Sequence, residues 1–149
     1  MTIKLVCAVV WMLLIFYLSS EGHDASSGRS DVIAEAVRHI TNTNLPNDVL
    51  TFLTRKAAHI TAYFVLGILM YNLVRTYARG ALKAITYSIV FVAAYATSDE
   101  FHQMFVPGRS SEIRDVLIDT TAGVVGVTVA YFIIRKYSGH KKRTAGKIS

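Results

Sequence analysis

The chain has 149 residues, of which 52% are hydrophobic and only 17% are charged, and its mean hydropathy is +0.39. This composition is too apolar for an ordinary soluble domain, and the length fits a single domain over residues 1–149. The net charge is +6, and the basic residues lie in short clusters beside apolar runs. This arrangement favours contact with a membrane surface and argues against nucleic acid as a partner. The single cysteine, Cys7, excludes a disulfide within the chain.

Four apolar segments follow one another along the chain. They cover about residues 5–20, 57–74, 81–98 and 116–134, each near the lower end of the ~17 to 25 residues needed to cross a bilayer. We therefore predict an all-α integral membrane protein, a bundle of four transmembrane helices whose main partner is the lipid bilayer.

The first segment also has features of a signal peptide, because Lys4 precedes a short apolar run. The residues that follow it, SSEGHDASS, provide only a weak cleavage site with small residues. We therefore expect this segment to be retained as the first transmembrane helix.

Basic residues predict the orientation of the bundle. The connection RTYARGALK between the second and third segments, and the tail over residues 135–149, are basic and contain no acid. The positive-inside rule places both in the cytoplasm. The N- and C-termini of this cell-membrane protein are then cytoplasmic, and its first and third connections face the outside.

The first outer connection contains a segment with helical spacing, SDVIAEAVRHI at residues 30–40. Ser30 is a suitable N-cap, and the apolar residues Val32, Ile33 and Val37 recur at helical intervals. We predict an amphipathic helix that lies on the membrane surface or covers the bundle. The alternative is a solvated loop helix without a role in chemistry.

Polar residues recur on one face of the second segment, which begins with the motif RKAAHITAY. Arg55, His59 and Tyr63 are spaced four residues apart, so they share a helical face that descends into the membrane. Arg55 and Lys56 also suit an interfacial position, and Tyr63 suits an aromatic belt. An imidazole inside an apolar helix, however, needs a polar partner.

A second polar stretch, SDEFHQMFVPGRSSEIRDVLID, separates the third and fourth segments with five acids and two arginines. Asp99, His102 and Gln103 share a helical face, whereas Glu100 is turned by about 100° from Asp99. The residues VPG predict a tight turn just before Arg109.

The fourth segment carries acids into the apolar run. Asp115 and Asp119 align one turn apart, and Asp119 falls within the membrane, where an acid should be paired or neutral. Gly123 and Gly126 follow, and small residues allow helices to approach closely.

We predict that these charges converge with Arg55 and His59 into one polar pocket that opens outward. The alternative is that Asp119 forms a salt bridge with Arg55 or His59 and only holds the bundle together.

The motifs RKAAHITAYFVLG and SDEFHQMFVPGRSSEIRDVLIDTTAG, in this order, resemble the VanZ-like family of small bacterial membrane proteins. WMLLIFYLSS resembles the first helix of that family, which also tends to end in a pair of serines. The resemblance extends from about Trp11 to Gly126. The polar positions that recur in the family correspond to Arg55, Lys56, His59, Tyr63, Asp99, Glu100, Gln103, Arg109, Asp115, Asp119 and Gly123.

The resemblance implies a task in the cell envelope. The founding member of the family is associated with low-level resistance to the glycopeptide teicoplanin, without the altered cell-wall precursors that the rest of its gene cluster provides. Many relatives occur without a resistance cluster, so resistance is an expectation for this chain, and the molecular activity stays open.

One hypothesis is a membrane-embedded enzyme that acts on a lipid-linked or wall-linked anionic substrate. Basic side chains would hold its phosphate or carboxylate, and those available are Arg55, Lys56 and Arg109. The catalytic candidates for a general base are Glu100, Asp99 and His59.

A metal-dependent variant of this enzyme would use Asp99, Glu100, His102 and Asp119, a set of hard oxygen ligands with few imidazoles. No standard metal-binding spacing such as H-E-x-x-H occurs. The sequence therefore predicts no particular metal site and leaves the cofactor unknown.

A second hypothesis is a binding protein without turnover, whose ligand is a cell-wall precursor, a lipid headgroup or a glycopeptide. Its ligand-binding candidates are Arg55, Lys56, Tyr63, Gln103, Arg109, Asp115 and Asp119. A third is a small transporter subunit in which His59 and Asp119 relay a proton or an ion. Four helices are few for a complete transporter unless the chain oligomerises, and the sequence leaves the oligomeric state open.

Overall fold

The chain folds into an antiparallel bundle of long helices. The computed structural model describes residues 2–20, 31–33, 35–38, 45–107 and 112–145, with side chains as far as residue 138. Within these residues the long helices are α1 (Thr2–Ser19), α2 (Asn47–Val74), α3 (Ala81–Gln103) and α4 (Ile113–Ala145). All four are long and apolar enough to cross a membrane. The predicted all-α, four-helix membrane fold is confirmed.

Three of the helices are longer than their apolar segments. α2 begins at Asn47 rather than near residue 57, and α3 continues to Gln103 rather than ending near residue 98. α4 continues to Ala145, through part of the stretch predicted as a basic tail. Apolar residues determine how much of a helix enters the membrane, whereas its ends depend on local breakers. Pro46, for example, has an extended backbone and lies directly before α2.

The link between α2 and α3 is a short turn that depends on a glycine. Gly80 lies directly before α3 and has a φ of 98°, a conformation that L-residues with a side chain rarely adopt. The turn reverses the chain within a few residues, so α2 and α3 become antiparallel neighbours.

α2 and α4 form the most extensive contact in the bundle, and glycines bring them together. A Cβ atom added to Gly67 would lie 2.1 Å from the carbonyl oxygen of Gly123, and one added to Gly126 would lie 2.0 Å from that of Phe64. Neither position has room for a side chain. The close approach predicted at Gly123 and Gly126 is therefore present, and α2 is the helix that they face.

α1 packs against α2 and α3 as a member of the bundle. The indole nitrogen of Trp11 donates a hydrogen bond to the carbonyl of Ala62 at 2.9 Å. The hydroxyl of Tyr95 donates one to the carbonyl of Met12 at 2.6 Å. The other faces of α1 are largely apolar and exposed, as suits contact with lipid.

The segment predicted as an amphipathic helix is helical over residues 31–33 and 35–38, while its other residues lie outside those described. Thr51 Oγ1 donates a hydrogen bond to Asp31, and the guanidinium of Arg38 donates one to the carbonyl of Leu45 at 2.8 Å. These bonds tie the segment to the beginning of α2. The location on the membrane surface stays a prediction.

Candidate functional site

Polar side chains meet inside the bundle at the end away from the α2–α3 turn. We call this group the polar cluster, and all four helices contribute to it. Five of its members are buried and His59 is half-buried. The members are Ser19 of α1, His59 and Tyr63 of α2, Asp99 and Gln103 of α3, and Asp119 of α4.

Asp99 is the centre of the hydrogen bonding in the polar cluster. Its Oδ2 accepts hydrogen bonds from the hydroxyls of Ser19 at 2.9 Å and Tyr63 at 3.0 Å. The amide nitrogen of Gln103 lies 3.4 Å from both Asp99 Oδ2 and Ser19 Oγ. The other oxygen, Oδ1, is buried and has no hydrogen-bond partner among the described residues. Asp99 is thus held in one orientation with half of its accepting capacity unused.

His59 and Asp119 form a second pair beside Asp99. His59 Nδ1 lies 3.3 Å from Asp119 Oδ2, and the exposed fraction of the Asp119 side chain is only 7%. His59, Asp99 and Asp119 can each contribute one nitrogen or oxygen atom such that these atoms lie within 4.8 Å of one another. Two carboxylates and an imidazole therefore surround one small volume.

Local sequence explains why these groups meet. His59 and Tyr63 lie one helical turn apart on α2, and Asp119 lies one turn before Gly123 on α4. A Cβ atom on Gly123 would lie 3.4 Å from the carbonyl of Tyr63 and 2.3 Å from a methyl group of Val92. The missing side chain at Gly123 thus lets α4 approach α2 and α3, which brings Asp119 beside His59.

An ion pair lies next to the polar cluster. The ammonium group of Lys56 contacts Asp115 Oδ1, and both side chains are about three-quarters buried. Lys56 also lies over the ring of Phe52, 5.5 Å from its centroid. This ion pair and the His59–Asp119 pair form two successive links between α2 and α4. The charge of Lys56 is therefore already balanced by Asp115.

Glu100 has a different role from Asp99. It is buried, and its Oε1 accepts a hydrogen bond from the backbone N–H of Glu112, which anchors the chain just before α4. His102 lies beside α1, where its ring contacts Ser20 Oγ at 3.1 Å and stacks on Phe16 with centroids 4.5 Å apart. The metal set considered from the sequence is therefore not assembled, because Glu100 and His102 belong to other contacts within the described part of the chain.

The predicted site residues thus fall into several groups. His59, Tyr63, Asp99, Gln103 and Asp119 come together in the polar cluster, whereas Lys56 and Asp115 bind each other. Glu100 lies outside the cluster. Arg55 is half-buried and makes no hydrogen bond or ion pair with the residues that the structure describes. Arg109 lies outside those residues.

Ser19 is the member of the polar cluster that the sequence interpretation did not select. It is buried, and its hydroxyl donates a hydrogen bond to Asp99. A signal was present, since the first apolar segment ends in a pair of serines, as in the family that it resembles. A serine at the end of an apolar helix is too common to be assigned a partner without the structure.

Comparison with known proteins identifies the family. The family model described as VanZ/LLP1 matches residues 4–135, a range that includes every member of the polar cluster. No curated protein and no solved structure matches the chain. The match covers most of the chain and agrees with the resemblance of its two long motifs. The chain belongs to the VanZ/LLP1 family.

Proposed function

We propose that this protein is a cell-envelope membrane protein that binds a polar envelope ligand at the polar cluster and contributes to teicoplanin resistance. The supporting observation is the convergence of polar side chains from all four helices within segments that can span a membrane. Polar and ionisable groups are costly there, and a cluster of them is a candidate functional site by default. The ligand classes that fit this setting are a cell-wall precursor, a lipid headgroup or the glycopeptide itself.

Packing alone gives no reason for this cluster. The glycine contacts already bring α2 and α4 together, and they need no polar partner. The buried Oδ1 of Asp99 has no partner among the described residues, which lowers stability rather than raising it. A group that is kept at a cost to stability favours a role in binding or chemistry.

The distribution of basic residues supports an outward-facing site. Arg75 and Arg79 lie in the α2–α3 turn, and Arg135 and Lys136 lie near the same end of the bundle in α4. The polar cluster lies towards the other end. If the basic end is cytoplasmic, the cluster is reached from the outside, where the proposed ligands are found.

The orientation can be tested by labelling single cysteines in intact cells. In a Cys7→Ser background, we expect Phe105→Cys to react with a membrane-impermeant maleimide and Tyr77→Cys to react only after lysis. Both side chains are exposed, at 70% and 60%. Labelling of Tyr77→Cys alone in intact cells would contradict an outward-facing cluster.

The resistance role can be tested in a susceptible Gram-positive host. Wild type, Asp99→Asn and Asp48→Asn are expressed at equal membrane levels, checked by immunoblot, and the inhibitory concentration of teicoplanin is measured. Asp48 is exposed in the first turn of α2, so Asp48→Asn is a matched control for the chemical change. We expect the wild type and Asp48→Asn to raise the inhibitory concentration and Asp99→Asn to lose the effect. No increase with the wild type at equal expression would reject the resistance role.

A second candidate function is a membrane enzyme that acts on a lipid-linked or wall-linked substrate. The observation that favours it is the buried contact of Asp119 with His59 Nδ1, because a carboxylate at one ring nitrogen orients an imidazole so that the other can accept a proton. His59 would be the general base, and Asp119 the positioning residue. The half-buried Arg55 would be available for an anionic group.

The enzyme hypothesis predicts a product. Envelope lipids and cell-wall precursors are profiled by mass spectrometry in cells that express the wild type, His59→Gln or His102→Gln. A species that appears with the wild type and His102→Gln, but not with His59→Gln at equal expression, would support turnover. Identical profiles in all three strains would favour binding without turnover.

A further inference from the structure

We propose that the polar cluster is a divalent-cation site whose ligands are His59, Asp99 and Asp119, and that the preferred ion is Zn²⁺. The site uses the same side chains as the proposed function but does not depend on teicoplanin resistance. Cation binding can be measured on the purified protein whatever the outcome of the resistance test.

The distances suit a bound ion. A cation about 2.0–2.2 Å from each ligand needs nitrogen and oxygen atoms roughly 3–4 Å apart. His59 Nδ1 and Asp119 Oδ2 are 3.3 Å apart, which is long for a good hydrogen bond but suitable for two ligands of one metal. An atom of Asp99 lies within 4.8 Å of both partners, so a small movement of side chains completes the set.

Asp99 is the ligand that the structure has prepared most fully. Its side chain is only 4% exposed, and its Oδ2 is held by the hydroxyls of Ser19 and Tyr63. Its Oδ1 is buried without a hydrogen-bond partner among the described residues. Ligating carboxylates are typically fixed in this way, with one oxygen bound to outer-shell donors and the other left for the metal.

A bound cation would also balance the charges of the cluster. Asp99 and Asp119 place two carboxyl groups close together inside the bundle, and two ionised carboxylates there would be costly without a nearby positive charge. Lys56 is paired with Asp115. A divalent ion bound to a neutral imidazole and two carboxylates leaves the site without net charge, which is the least costly state inside a membrane.

The ligand types favour zinc over magnesium or calcium. Mg²⁺ and Ca²⁺ prefer oxygen ligands and seldom use imidazole, whereas Zn²⁺ accepts both histidine and carboxylate. Three protein ligands also leave a coordination position open, as in catalytic zinc sites. That position could receive a phosphate or carboxylate oxygen of an envelope ligand.

The direct test uses the full-length protein in lipid nanodiscs, purified without a histidine tag and treated with a chelator that is then removed. Zn²⁺ is titrated against a fluorescent zinc indicator, and Mn²⁺ binding is followed separately by electron paramagnetic resonance. We expect one tight Zn²⁺ site per chain, little competition from Mg²⁺, and an immobilised Mn²⁺ signal that Zn²⁺ removes.

The variants assign the site to its ligands. Loss of an outer-shell partner weakens metal binding by about 10- to 100-fold, so Tyr63→Phe should fall in that range and Asp119→Asn should lose at least as much. His59 is less buried than Asp119, with 22% of its side chain exposed against 7%, so His59→Gln is a second ligand variant with less risk of misfolding. The matched controls are His102→Gln and Asp48→Asn, and both should bind Zn²⁺ like the wild type.

Each outcome decides the proposal. Wild-type protein that is folded by circular dichroism and monodisperse by size exclusion, yet binds neither Zn²⁺ nor Mn²⁺, overturns it. Equal losses in His59→Gln and His102→Gln overturn the assignment of the ligands. Zn²⁺ binding without any change in teicoplanin susceptibility supports the cation site and rejects only the resistance role.

Discussion

The two ends of the α2–α4 contact are held together by different physical means. Around Gly67 and Gly126 the backbones touch directly, and there is no room for a side chain on either helix. Around His59 and Asp119 the same two helices are joined by polar side chains, and beside them a buried carboxylate oxygen of Asp99 has no partner among the described residues. The first region gains stability from close packing, whereas the second keeps polar groups that packing does not need. Close backbone packing and polar side-chain contact are thus separated along one helix pair.

Filling the glycine contact should have the largest effect on stability. Gly126→Leu places a side chain where a Cβ atom alone would lie 2.0 Å from the carbonyl of Phe64, and neither backbone can move without separating the helices. We expect a loss of more than about 3 kcal/mol, at or beyond the upper end for overpacked cores, and poor accumulation in membranes. Thermal unfolding in detergent measures the loss of stability, and an immunoblot of membranes measures the accumulation. The matched control is Ala94→Leu, an exposed position on α3, and equal losses in the two variants would contradict the packing argument.

Removing one hydrogen bond from the polar cluster should lower stability less than Gly126→Leu does. Tyr63→Phe deletes the hydroxyl that donates to Asp99 while keeping the ring in its buried position. Hydrogen bonds between membrane helices contribute about 1 kcal/mol, so we expect a loss of that size. Tyr87→Phe removes a hydroxyl from an exposed tyrosine on α3 and should change thermal stability little. A loss from Tyr63→Phe as large as that from Gly126→Leu would mean that the cluster is the main support of the bundle.

The ion pair between Lys56 and Asp115 should contribute less again. Both side chains are about three-quarters buried, with 23% of each still exposed. Exposed ion pairs typically contribute about 0.2–1 kcal/mol, and we expect a coupling of that size because both charged groups remain partly accessible. A double-mutant cycle with Lys56→Met and Asp115→Asn measures the coupling between them in thermal or chemical unfolding. Additive effects of the two changes would show that the contact contributes nothing to stability.

Replacing Asp99 by asparagine should have the smallest effect on stability of these changes. In Asp99→Asn the amide oxygen can still accept hydrogen bonds from Ser19 and Tyr63, and no ionisable group has to be buried at this position. We expect unchanged or higher thermal stability together with loss of Zn²⁺ binding. A clear loss of thermal stability in Asp99→Asn would instead indicate that the polar cluster has a purely structural role.

Much of the fold could be predicted from the sequence because its signals are local. The length and apolarity of four segments are enough to predict the bundle, and the spacing of His59 and Tyr63 predicts that they lie on one face of α2. The turn of about 100° between neighbouring residues also separates Glu100 from Asp99, and the structure gives them different partners. These arguments need only the geometry of a single helix.

The remaining details depend on contacts between helices. Ser19 reaches Asp99 because of the rotation of α1 about its own axis in the bundle. The residue spacing within α1 or α3 cannot predict this rotation. The partner of Asp119 is His59 because Gly123 lets α4 settle close to α2, although Arg55 lies on the same face of α2 and was an equal candidate. The helix ends differed from prediction because polar turns continue a helix as well as apolar ones do.

The hydrogen bond from Ser19 to Asp99 has a consequence for how the protein is made. Ser19 is synthesised early and Asp119 a hundred residues later, so the polar cluster is complete only after α4 has entered the bilayer. Until then Asp99 lies in α3 without its neighbour Asp119 from α4. Packing of α4 against α2 and α3 completes both the bundle and the polar cluster.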